Sequence, residues 1–205
     1  NLRATPGERV PVMLYLVRHA NPQIDAAVPA SQWQLSIAGI ERALLIAQHL
    51  EKVGIQAVIS SPEAKAIQTA QILAEQWGLE VEVMDGIHEH ERPWSPDSFT
   101  RVVEFQSRIQ QFFLQPGELV FGAETADQCH ARFEGALRQI ISQHQNHRLA
   151  VVTHGTVLSL LLSRYNRLDV FTFWQALGMP ASIRVEIPDF QIKETWTPAE
   201  SPQRA

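Results

Sequence analysis

Cysteine is almost absent from this chain, long apolar runs are missing, and there is no excess of positive charge. Each shortage removes a class of protein. Cys129 is the one cysteine among 205 residues, which excludes an internal disulfide and a cysteine-built zinc site. Within its helical pattern Cys129 reads as a small packed residue rather than a nucleophile. No apolar stretch approaches the roughly 20 residues that a transmembrane helix needs. The opening segment NLRATPGERVPVM is polar, carries Pro and Gly, and has no hydrophobic core of the secretory kind. The expectation is a soluble, cytoplasmic protein with no membrane partner. The formal net charge of −5 argues against nucleic acid as a partner, since sequence-independent binding needs a cationic face. A small anionic substrate stays open, because a few local cations are enough for it. A homodimer is allowed, as the sequence does not determine oligomeric state.

What is present alternates. Met13–Val17 is a short apolar strand. Ile37, Ile40, Ala43, Leu44, Ala47 and Leu50 recur at helical spacing, with Ser36 placed as N-cap and Gly54 just past the end. Ala57–Ile59 forms a second strand, and Glu63–Trp77 a helix with Pro62 in its first turn and Gly78 after it. A strand over Glu80–Met84, helices over Arg101–Leu114 and Ala126–His144, a strand over Leu149–Thr153 and a helix over Val157–Arg164 follow. Ala181–Ile187 and Phe190–Trp196 read as a closing strand pair. Strands alternating with helices predict an α/β three-layer sandwich, with a central, mostly parallel sheet flanked by helices. One domain spans 1–205, with a small helical cap over about 88–122 and frayed ends at 1–10 and 198–205. Trp94, Phe99, Phe105 and Phe112 are candidates to line a pocket under that cap.

The chemistry concentrates at strand ends. In YLVRHANPQI an apolar strand runs straight into Arg18 and His19, and Asn21-Pro22 then breaks the chain. Leu149–Thr153 repeats the design, ending in His154-Gly155-Thr156. Two strands each deliver a histidine at a carboxyl end, where open α/β sheets bind ligands. Ser60-Ser61-Pro62-Glu63-Ala64-Lys65 also follows a strand and opens a helix.

LVRHA, SSPEAKAIQTA and VVTHGTV together resemble the histidine phosphatase superfamily, also called the phosphoglycerate mutase-like family. Leu35–Ala43, LSIAGIERA, is similar to that family's Leu-Thr-x-x-Gly helix start. Gly122-Ala-Glu124-Thr125 with Arg132 is similar to its Gly-x-Glu-Ser and downstream arginine. The match runs in order from about Leu14 to Val157. It implies a phosphoglycerate mutase-like fold and an enzyme of the histidine acid phosphatase type, acting on a small phosphorylated metabolite through a phosphohistidine.

Such chemistry asks for an in-line nucleophile, cations on the phosphoryl oxygens and a proton for the leaving oxygen. A neutral imidazole suits the first role, given to His19, because it can hold the phosphoryl group covalently. Arg18 offers a planar fork to two phosphate oxygens. The resemblance implies that His154 donates to those oxygens. Through Ile87-His88-Glu89, it also implies Glu89 as the proton donor, a role that needs a carboxyl protonated part of the time. Lys65, Asn21 and Thr156 complete the candidate phosphate-binding set. No cofactor or metal is expected, since these side chains already neutralise the charge. Three departures matter: Lys65 stands where the family has arginine and lacks the bidentate fork, Ala20 stands where glycine is usual, and Pro22 stands where a small polar residue often sits. The alternatives are a mutase that moves phosphate between hydroxyls and, because of Lys65, a non-catalytic phospho-ligand binder.

Overall fold

The computed structural model describes residues 13–92 and 102–199. At its centre lies a six-stranded sheet in the order β3-β2-β4-β1-β5-β6. Its strands are β1 (Met13–Arg18), β2 (Ala57–Ser60), β3 (Val81–Val83), β4 (Arg148–Thr153), β5 (Ala181–Glu186) and β6 (Gln191–Trp196). The first four in that order run parallel; β5 is antiparallel to β1, and β6 to β5. A parallel sheet must be covered on both faces, and the central strands are accordingly apolar on both. Tyr15 and Val17 pack against helices α1 (Ile37–Leu50) and α2 (Ala64–Trp77). Leu14 and Leu16 pack on the other face, against α3 (Val102–Leu114), α4 (Ala126–Gln143), α5 (Gly155–Asn166) and α6 (Val170–Ala176). Leu14, Leu16 and Val17 are fully buried, each contributing about 1.5–3 kcal/mol of burial free energy. The expected layered α/β architecture is the one observed.

Details differ from the expectation. Helix α2 begins at Ala64 with Glu63 as N-cap, so Pro62 precedes the cap instead of sitting in the first turn. In α1 the apolar stripe divides. Ala43, Ala47 and Leu50 are buried together with Gly39 and Ile46, whereas Ile37, Ile40 and Leu44 are exposed. Gly39 sits where the chain after β1 leaves no room for a β-carbon, and Ile46, Ala47 and Leu50 pack with α2 in the core. Helix α6 escaped the sequence reading: it is seven residues long and rich in aromatic and β-branched types with weak helix propensity. Helix α3 lies within the expected cap, yet its Ile109, Phe112 and Phe113 belong to the main core. Phe112 is therefore a core residue; Phe105 is partly buried against that core, and Trp94 and Phe99 fall outside the described residues, as do 1–10 and Arg101. At the far end Pro198 is buried, and its carbonyl accepts from Arg42.

One contact in the fold bears directly on the site. The carbonyl of Asn21 accepts both the N–H and the hydroxyl of Ser36, at 3.0 and 3.1 Å. Ser36 also caps α1 by accepting from Gly39 N. A β-carbon on Gly39 would lie 2.1 Å from that same Asn21 oxygen. Gly39 is thus a space requirement: it lets the start of α1 seat the loop that follows His19. Gly39→Ala is expected to destabilise the protein by about 1–3 kcal/mol, the usual cost of overpacking, measured by urea denaturation. A variant as stable as the parent would show that the loop can move aside.

Candidate active site

β1 and β4 pair in register, with Arg18 opposite Thr153. The ladder continues one step beyond the strands, as His19 N donates to Thr153 O at 2.9 Å and Ser61 N to Val152 O at 3.0 Å. Three chains therefore leave the sheet side by side at its carboxyl edge. His19, Ser61 and His154 leave with them, and the two imidazole centroids lie 5.0 Å apart.

His19 Nδ1 lies 2.8 Å from the carbonyl oxygen of Ala20. A carbonyl can only accept, so Nδ1 carries the hydrogen and Nε2 keeps its lone pair. The ring is buried. Burial foremost, then His154, Lys65 and Arg18, holds its pKa well below 6.5, against the opposing pull of the Ala20 carbonyl. His19 is a neutral imidazole at neutral pH, with its basic nitrogen fixed by the backbone. The turn that carries it is pinned from α2: Ala20 N donates to Thr69 Oγ1 at 3.0 Å, and the Thr69 hydroxyl donates to Lys65 O at 2.7 Å.

The cations stand around this ring. Arg18 donates from Nη1 to Leu177 O, while its Nε is buried with no partner among the described residues. Its guanidinium lies on the start of α5, where a β-carbon at Gly155 would come within 2.9 Å of Cζ. Glycine there makes space for the arginine. Lys65 is buried. Its ammonium donates to Ala30 O at 2.7 Å and to the Glu63 carboxylate.

His154 Nε2 is 2.7 Å from Ser61 Oγ and 3.6 Å from Glu63 Oε1, and Nδ1 is buried without a partner among the described residues. Burial, then Lys65, keeps its pKa well below 6.5 as well. Asn21 follows in the His19 loop; its backbone is held by Ser36, and its side-chain Oδ1 is buried with no partner among the described residues.

Glu89 occupies the N-terminus of α5. Its carboxylate accepts from Thr156 N at 3.1 Å, Val157 N at 3.3 Å and His90 N at 2.9 Å, the arrangement that favours an anion at a helix start. Burial pushes its pKa up, but Arg92, His154 and the His90 N–H outweigh burial and bring it down to about 2. The expectation of a partly protonated Glu89 does not hold for the ligand-free protein, where it is a carboxylate. Thr156, a candidate phosphate contact, gives its backbone N–H to Glu89.

The loop bearing Glu89 is tied down from behind. Arg132 donates to the carbonyls of Gly86, His88 and Glu89 and forks onto Glu124, which accepts in turn from Glu91 N. Thr153 Oγ1 donates to Ile87 O at 2.7 Å. The Glu124 and Arg132 pair noticed in the sequence is thus the clamp on the acid loop. Cys129 is buried, and burial foremost raises its thiol pKa strongly, so it is no nucleophile.

Sequence reasoning assigned no role to Ser61, Thr69 or Glu63. Ser61 and Thr69 lie in the quoted motif and could have been found there. Glu63 lies in that motif too, but two of the groups it faces, Glu89 and His154, come from distant parts of the chain. Among the described residues no group of three or more His, Cys, Asp or Glu is placed to hold a metal ion.

Comparison with known proteins follows the same lines. The sequence model of the histidine phosphatase superfamily (branch 1) matches residues 14–189. Phosphoserine phosphatase 1 of Hydrogenobacter thermophilus is 28% identical over 172 residues, 80% of each chain. A probable phosphoglycerate mutase of Yersinia pestis, GpmB, is 32% identical over 162 residues, 74% of each. A mycobacterial glucosyl-3-phosphoglycerate phosphatase complexed with VO3 shares the fold, with a TM-score of 0.70 at 19% identity over 91% of this chain and 98% of its own. With the paired strand-end histidines, the ordered motifs and the matching fold in place, the chain belongs to branch 1 of the histidine phosphatase superfamily.

Proposed function

We propose that this protein is a metal-independent phosphomonoesterase that works through a phosphohistidine on His19. One observation carries the reading: the Ala20 carbonyl holds the His19 Nδ1 hydrogen, which leaves Nε2 as a fixed, neutral nucleophile beside Arg18, Lys65 and His154. In the first step the Nε2 lone pair attacks phosphorus in line, the bond to the leaving oxygen breaks, and that oxygen takes a proton from Glu89. In the second step a water, giving its proton to the Glu89 carboxylate, releases phosphate and restores neutral His19. Arg18 and Lys65 balance the charge on the equatorial oxygens, and neutral His154 offers them a hydrogen bond. Glu89 is ionised in the free protein, so it reaches its donor form only when a phosphate dianion sits beside it and raises its pKa.

The curated relatives act, by their names, on phosphoserine and phosphoglycerate. Small phosphorylated metabolites of that size are the substrates to test first. A mutase reading has the Yersinia relative behind it. Phosphoglycerate isomerisation that needs a bisphosphorylated starter and outpaces hydrolysis would replace the hydrolase reading.

His19→Ala should abolish turnover of an aryl phosphate, assayed in excess chelator. It should also abolish the acid-labile, base-stable label that rapid quench traps in the parent. Substantial turnover in His19→Ala sinks the mechanism.

Glu89→Gln separates proton donation from binding. With an alkyl phosphate such as phosphoserine, kcat/KM should fall by about 10²–10⁴, the range for a general acid. With 4-nitrophenyl phosphate, whose leaving group needs no proton, the loss should be far smaller. Equal losses on both substrates would remove Glu89 from the donor role.

A further inference from the structure

Glu63 is a charged residue of this pocket that the hydrolysis scheme does not use, and its side chain makes two hydrogen bonds and lies near a third group. One carboxylate oxygen accepts from Lys65 Nζ. The other accepts from Glu89 N at 2.8 Å and lies 3.6 Å from His154 Nε2. Glu63 caps the start of α2 in backbone terms, yet its side chain makes no capping bond to that helix. It turns into the site instead. The group that replaces the family arginine is thus a lysine already paired with an internal anion.

We propose that Glu63 is a built-in counter-anion on Lys65 that sets the charge and pH preference of the site, so that a phosphoryl dianion enters together with one proton, received by Glu89. The inference rests on the reading that Arg18, His19 and Lys65 hold the phosphoryl group.

A count of the groups that face one another leads there. Arg18 from β1 and Lys65 from α2 bring two positive charges. Glu63 at the start of α2 and Glu89 from the loop after β3 bring two negative ones. His19 and His154 are neutral, and Arg92, farther along the acid loop, adds one positive charge that acts on Glu89 and His154. A dianion arriving among them leaves the pocket with excess negative charge unless a proton accompanies it. Of the two carboxylates, Glu63 keeps its charge, because the Lys65 ammonium is bonded to it directly. Among the described residues Glu89 takes its hydrogen bonds from neutral backbone N–H groups, with Arg92 acting on it electrostatically, and a dianion arriving beside it opposes that pull. Glu89 therefore takes the proton, which is the form a leaving-group acid requires. Two charges a few ångströms apart in a partly buried site differ in energy by enough for more than about a tenfold change in binding.

The test is calorimetric titration of inorganic phosphate into the ligand-free protein, in buffers of different ionisation enthalpy, at pH 6 and pH 8. At pH 8, where phosphate is mainly the dianion, the parent should take up about one proton per phosphate bound. Glu89→Gln should lose that uptake. Glu63→Gln keeps the side-chain shape but removes the charge; it should bind phosphate at least about tenfold more tightly at pH 8, with a flatter dependence on pH. Phosphate binding by Glu63→Gln that is equal to or weaker than the parent's overturns the inference, as does absence of binding by both proteins. If Glu63→Gln does not fold, the parent decides alone: proton uptake near zero at pH 8 overturns it. Binding is read without turnover. A parent that hydrolyses aryl phosphate while Glu63→Gln gains no affinity therefore defeats this inference and leaves the hydrolase reading standing.

Discussion

Parallel pairing of β1 with β4 is the constraint on which the site depends. The ladder runs from Met13 opposite Arg148 to Arg18 opposite Thr153, and His19 N extends it by one bond to Thr153 O. A slip of one residue would exchange the two faces of the strand, sending Leu14 and Leu16 toward α1 and α2 and Tyr15 and Val17 to the other side. The fully buried residues of the two faces differ in size and in partners, so the core itself enforces the register. Once it is set, two buried histidines stand 5.0 Å apart at the sheet edge, and neither can move without breaking the ladder. The His19 imidazole gains its orientation from backbone geometry, through Ala20.

Around that fixed pair, the other groups arrive on loops, and each loop is fastened twice. The His19 turn is held by Thr69 on one side and, through Asn21, by Ser36 on the other. The acid loop is held by Arg132 with Glu124 and by Thr153. Such anchoring matters because a carboxyl that gives and takes a proton must stay within hydrogen-bond reach of the reacting oxygen. The result is a preorganised set of charges in a buried place, where electrostatic stabilisation is strongest.

Much of this was legible in the sequence where a local pattern has a local cause. Leu-Ser-Ile-Ala-Gly at 35–39 encodes a cap and a glycine that fits against Asn21. The strand-end histidines follow from apolar runs that stop abruptly. Thr69 falls four residues after Lys65, one helical turn, which places its hydroxyl on the Lys65 carbonyl. What escaped was non-local. Glu63 gains its meaning from Lys65, Glu89 and His154 together, contacts that no spacing along the chain reveals. The inward face of α1 escaped for a similar reason: hydrophobicity marks Ile37, Ile40 and Leu44, but close packing selects Gly39, Ala43 and Ala47. Against burial, Glu89 is kept ionised by Arg92, His154 and the His90 N–H, and its bond from Thr156 N comes from 67 residues away in sequence.

The central claim is that Nε2 of His19, and no other atom, receives the phosphoryl group. Nitrogen–phosphorus correlation NMR on the trapped, histidine-¹⁵N-labelled phosphoenzyme tests it most directly. The account predicts phosphorus bonded to Nε2 of His19, with Nδ1 still carrying its hydrogen. Phosphorus on Nδ1, on His154 or on a residue other than histidine would contradict it.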